Sequence, residues 1–180
     1  ILVIGDDGLN SGQTEGAAYY WDILAKNAFG NFRTLLEQVT LSPIMGSYLS
    51  SLKNAKADPV AGTNPDENFA REIMQLFTVG LVQLQPDGTL KLDAAGLPIP
   101  TYNQTIITET AKVFTGWGYF STLTNPNFRT ARPDHINPMM LYPSFHEPGQ
   151  KSNINNVVIP ANQGGSEDLK RTLDTLLNPE

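Results

Sequence analysis

Hydrophobic positions along the chain fall into blocks with a helical period, separated by stretches that have none. Ala17 to Ala28 carries Ala18, Tyr19, Trp21, Leu24 and Ala25 at mixed three- and four-residue spacing, which predicts a helix stopped by Gly30. Asn31 then stands as a cap. Phe32, Leu35, Leu36 and Val39 follow at i, i+3, i+4, i+7, the stripe of an amphipathic helix. Ser42-Pro43 opens a short third helix with Pro in its first turn and Ile44, Tyr48 and Leu49 on its inner face. Residues 53–63, with Asp58-Pro59 and Gly62, lack any period and read as a loop.

The segment Asn64 to Leu81 carries the most start and stop signals. Asn64 stands at the cap and Pro65 at the first helical position. Asp66 and Glu67 face the positive end of the dipole, and Gly80 suits the left-handed closing conformation, so a helix over 64–80 is predicted. Glu67 lies three residues after the cap, where it would close a capping box with Asn64, and four before Arg71, where it would form an ion pair. Phe69, Ala70, Ile73, Met74, Leu76 and Phe77 make one broad apolar arc. Glu72 falls at the edge of that arc, where a carboxylate is partly desolvated and serves either as a buried anchor or as a site group.

Val82 to Gln85 and Thr89 to Leu92 alternate around Pro86-Asp87-Gly88, which predicts a β-hairpin over 82–92, with a second turn at Ala95-Gly96. Ile106, Thr110, Val113, Phe114 and Trp117 then repeat with a helical period over 103–117, closed by Gly116. Asn103-Gln104-Thr105 matches a glycosylation sequon, although Asn103 is also placed to cap this helix. Residues 118–165 are rich in Asn, Pro and Gly, with short strand signals only at 139–142 and 156–159. A stretch this long without helices more often serves function or covers another surface than stands idle. Ser166 caps a last helix over 166–178 that carries Leu169, Leu173, Leu176 and Leu177. The fold class expected is mainly α: one irregular helical domain over 1–180, with helical parts at about 14–51, 64–80, 103–117 and 166–178, a small β-hairpin and a long Asn/Pro/Gly-rich loop segment. Phe69, Ile73, Phe77, Phe114 and Trp117 are expected to share its core.

Composition narrows the function classes. With 40% hydrophobic and 17% charged residues, the 180-residue chain has the make-up of one globular domain. Its net charge of −6, with no run of Lys or Arg longer than two, repels a phosphate backbone and argues against nucleic acid. The longest aliphatic run is Ile1 to Ile4, far short of the roughly 20 residues a membrane helix needs. Without cysteine there are no disulfides, thiolate metal sites or Cys nucleophile. The chain opens without Met and stops just after an amphipathic segment, which reads as an internal fragment.

Candidate chemistry centres on two histidines. His135 follows Asp134, His146 precedes Glu147, and Lys151 comes soon after, a His/carboxylate set of the kind that holds a metal or works as acid and base. No His-Glu-x-x-His, Gly-x-Ser-x-Gly, phosphate loop or Gly-x-Gly-x-x-Gly accompanies it. The candidates are therefore Glu72 and His146 for catalysis, Arg71, Lys151, Glu67 and Trp117 for binding, and His146, His135 and Asp134 for any metal. No cofactor is evident. The plainer reading of His146-Glu147-Pro148-Gly149 is a turn that tucks the imidazole against Trp117 or Tyr142. Tyr19, Tyr20, Trp21, Trp117, Tyr119 and Phe120 suit a carbohydrate platform, but at helical spacing such rings more often form core.

Four segments carry a resemblance. Asn27-Ala28-Phe29-Gly30-Asn31-Phe32-Arg33, Pro65 to Phe77, Phe114-Thr115-Gly116-Trp117 and His146-Glu147-Pro148-Gly149-Gln150-Lys151 resemble, in that order, the signature segments of the bacterial family called domain of unknown function 1800. That resemblance implies a periplasmic or extracellular protein and a secreted partner, and brings no reaction with it. It also implies that further helices follow Asn178, a continuation from which Pro179-Glu180 departs. Three readings follow: an exported helical scaffold or binding module acting with a secreted partner; a periplasmic or extracellular hydrolase with a carboxylate/His site; and a structural component of the cell surface. A cleft joining His146 to Glu72 would favour the hydrolase.

Overall fold

The computed structural model describes residues 2–5 and 13–178. The first three helices follow one another closely: α1 (Thr14–Lys26), α2 (Phe32–Leu41) and α3 (Pro43–Tyr48). The α1–α2 turn is fixed by side-chain amides. Asn27 Nδ2 donates to the Ile23 carbonyl and to Gln38 Oε1, and Asn31 Oδ1 accepts from the Thr34 amide, the cap read from the sequence. Leu36, Val39, Ile44 and Leu49 are buried as expected, whereas Phe32 and Tyr48 are exposed. Phe32 is the first residue of α2 and Tyr48 the last of the six-residue α3, so both side chains sit at helix ends.

The helix expected over 64–80 is shorter and of two kinds. It begins at Asn68, runs as α4 (Asn68–Glu72) and continues as a π-turn over Ile73–Phe77. The Asn64 capping box does not form, because the Asn54 side chain holds the backbone of Asp66 at both its N–H and its carbonyl, outside the helix. Asp66 Oδ1 accepts from the Asn68 amide instead. In the π-turn the wider i→i+5 winding leaves the Ile73 carbonyl to accept from Thr78 Oγ1 at 2.7 Å. The same winding departs from the 100° period on which the apolar arc was drawn, and Leu76 lies 51% exposed while Ile73, Met74 and Phe77 stay buried. Gly80 closes the segment at φ +74°, its amide bonded to the Met74 carbonyl.

The hairpin forms as an arm with isolated bridges, Leu84 opposite Leu90, and a third segment pairs with it through Val82 and Pro100 and through Leu92 and Pro98. α5 (Gln104–Val113) is capped by Asn103, whose Oδ1 accepts from the Ile106 amide. Two short antiparallel pairs order the irregular segment. β1 (Trp117–Gly118) lies against β2 (Met140–Leu141), and β3 (Lys151–Ser152) against β4 (Val158–Ile159). The last helix, α6 (Gly165–Leu177), starts after Gly164 at φ +93° and not at a Ser166 cap. Pro179 and Glu180 lie outside the described residues.

Phe69, Ile73, Phe77, Phe114 and Trp117 share one hydrophobic core with Leu169, Leu173 and Leu176 of α6. The Phe69 ring packs edge to face with Phe114 and with Phe77, at centroid separations of 4.8 Å and 6.5 Å. α5 touches α4, α6 and β3, so the core links the irregular segment to the helices. No helix among the described residues is long and apolar enough to cross a membrane.

Candidate functional site

Gly116 and Gly165 decide where His146 goes. Gly116 adopts φ +81°, and a Cβ there would stand 2.8 Å from the His146 amide nitrogen. A Cβ on Gly165 would meet Leu141 at 2.7 Å and His146 Nδ1 at 3.0 Å. The two glycines thus let the end of α5 and the start of α6 close on one imidazole. His146 Nδ1 donates to the Thr115 carbonyl at 2.8 Å, and Nε2 lies 3.0 Å from Asp168 Oδ2.

Asp168, in the first turn of α6, is the centre of the cluster. Its Oδ2 also accepts from Lys151 Nζ at 2.5 Å, and its Oδ1 accepts from Gln163 Nε2 at 2.8 Å. Lys151 Nζ donates in addition to the Glu147 and Gly149 carbonyls, so its three donors have three acceptors. His146, Lys151 and Asp168 are 5%, 1% and 2% exposed. Burial pushes the Asp168 carboxyl up. The hydrogen bonds from His146, Lys151 and Gln163, with the charge of Lys151, outweigh it and leave the carboxyl below its ordinary value.

Thr115 completes the surroundings. Its hydroxyl lies 3.4 Å from His146 Nδ1, which with Asp168 outlines a hydroxyl/imidazole/carboxylate series. That hydroxyl donates to the Lys112 carbonyl at 2.6 Å, however, and accepts from the Glu147 amide at 2.9 Å. Thr115 is wholly buried, and no substrate reaches it in this conformation.

The other sequence candidates lie elsewhere. Glu72, at the end of α4, is half-buried and makes no hydrogen bond to His146. Glu67 and Arg71 form the expected ion pair at 3.2 Å, and Glu67 also accepts from Gln104 Nε2 and from the Thr108 hydroxyl, tying α4 to α5. The Trp117 ring belongs to the core. The imidazole of His146 is held by Thr115 and Asp168. Asp134 and His135 line a separate open cleft of about 960 Å³ between the start of α1 and residues 120–137. Tyr119 Oη lies 3.3 Å from His135 Nε2, with the two rings edge to face. Among the described residues no group of three or more His, Asp and Glu side chains is placed to hold a metal ion.

Asp168 is the member that the sequence reading missed. The signal was present in the helical wheel. Asp168 and Thr172 fall among Leu169, Leu173 and Leu176, so an inward-facing carboxylate needs a buried partner.

The protein family described as protein of unknown function (DUF1800) matches the chain over residues 6–180. No curated protein and no solved structure matches it.

Proposed function

Since the chain belongs to the DUF1800 family of proteins of unknown function, which brings no reaction with it, we propose from its own geometry that it is a helical binding module rather than a hydrolase. The observation that carries this reading is the sealing of the His146, Lys151 and Asp168 cluster. The polar atoms that chemistry would require are all engaged with protein partners and shut off from solvent. Glu72, the second carboxylate a hydrolase would use, makes no hydrogen bond with that cluster, and general acid–base work requires hydrogen-bond reach. The cluster instead fastens residues 143–165 to α5 and α6, giving the irregular segment a fixed shape with which to present a surface. Export to the periplasm or beyond, and a secreted partner, complete the proposal on the family resemblance alone; fractionation of cells producing the protein tests them.

The test of the binding-module reading is turnover. The protein and its His146→Asn variant are assayed with nitrophenyl acetate, nitrophenyl phosphate and nitrophenyl glucoside. The reading expects both to leave the uncatalysed rates unchanged, and a turnover that His146→Asn abolishes while the variant stays folded would overturn it.

A further inference from the structure

We propose that the cleft between the start of α1 and residues 120–137 binds a neutral oligosaccharide. This deepens the binding-module reading by naming its ligand class and rests on that reading. At about 960 Å³ the cleft reaches the upper end of the size range of small-molecule sites, about 300–1,000 Å³, enough for more than one sugar ring.

Its lining has the chemistry of a polyhydroxylated ligand. Thr122, Asn125 and Thr130 offer neutral hydroxyl and amide groups that both donate and accept, matching the dual character of sugar hydroxyls. The Phe120 ring, 38% exposed, gives a flat apolar face of the kind that the C–H side of a pyranose covers.

The walls are fixed before any ligand arrives. Asn127 Oδ1 accepts from the Arg129 and Thr130 amides, and Asp134 Oδ1 from the Ile136 and Asn137 amides. Gly16 lets α1 press against the far wall, since a Cβ there would stand 2.6 Å from His135 Cβ. Loops held in this way lose less conformational freedom on binding, which favours a ligand whose individual hydrogen bonds are weak.

Charge selects against acidic sugars. Glu15 and Asp134 face the cleft beside Arg132 and His135, and the chain as a whole carries −6. Hydrogen bonds from Asn137 and from the Asn137 and Ile136 amides outweigh desolvation and keep the Asp134 carboxyl below its ordinary value, so it is ionised at neutral pH. A carboxylate on the ligand would be the third there, beside Glu15 and Asp134 and against the guanidinium of Arg132, and meets repulsion.

The experiment is calorimetric titration, with saturation-transfer NMR, of the protein against cellotetraose, maltotetraose, tri-N-acetylchitotriose and trigalacturonate. It is repeated on Phe120→Ala and Asn125→Ala. The proposal expects at least one of the three neutral probes to bind, with affinity falling tenfold or more in each variant at an unchanged melting temperature. Silence from all three neutral probes at millimolar concentration overturns it, as does preference for trigalacturonate or binding that both variants retain in full. A silent cleft with inert nitrophenyl substrates removes only the oligosaccharide assignment, whereas His146-dependent turnover removes the binding-module reading whatever the cleft holds.

Discussion

Lys151 Nζ lies 2.5 Å from Asp168 Oδ2 with both side chains withdrawn from solvent, and this contact ties β3 to the first turn of α6. Removing one partner of a buried ion pair leaves the other charge uncompensated, at a cost of about 3–5 kcal/mol. Lys151→Met should therefore lower the unfolding free energy by about that amount. Urea titration followed by circular dichroism measures it, and a loss below about 1 kcal/mol would show that the pair is not the fastening described.

Asp168 also sets a pH dependence. Its carboxyl is held below the ordinary value of about 3.9, so its stabilising contribution is complete above that value and is lost as the pH falls through the lower folded-state value. Stability should drop as the pH goes below about 4, and the drop should be shallower in Asp168→Asn. Thermal melts of both proteins between neutral and acid pH check the sign.

Gly165 separates packing from charge. An alanine methyl at this position would collide with Leu141 and press on the His146 ring, a case of overpacking that costs about 1–3 kcal/mol. Gly165→Ala should lose stability and shift the His146 side-chain resonances in NMR spectra, whereas Gly88→Ala, in an open turn, should leave them in place.

Phe69 is the ring on which α4, the π-turn and α5 converge. Phe69→Ala should cost about 3–5 kcal/mol. Glu67→Gln, at a partly exposed pair, should cost less than about 1 kcal/mol. Denaturant midpoints that put the two variants in the reverse order would contradict the packing described.

The parts legible in the sequence are those governed by local rules. The caps Asn31 and Asn103 form as their side-chain chemistry dictates, the stop glycines Gly80 and Gly116 take positive φ, and the apolar periods of α2, α5 and α6 face inward. The failures came from tertiary competition. Asn54 claims the backbone of Asp66 and removes the first turn of the helix read from Asn64, and the π-turn breaks the period on which Leu76 was placed. In the site, His146 and Lys151 drew attention through their motif, but their shared partner Asp168 is 22 and 17 residues away along the chain, a separation no local rule spans. Glu72 stands out by its place on the wheel, but the hydrogen bonds of the His146 imidazole go to Thr115 and Asp168 instead.

The most direct test of the central claim, that the His146 cluster is a sealed fastening and the open cleft is the working surface, is histidine modification with diethyl pyrocarbonate mapped by mass spectrometry. The native protein should be labelled at the half-buried His135, while His146 should be protected until denaturant unfolds the chain. Labelling of His146 in the folded protein at a rate comparable with His135 would contradict the account, because it would place the imidazole within reach of a substrate.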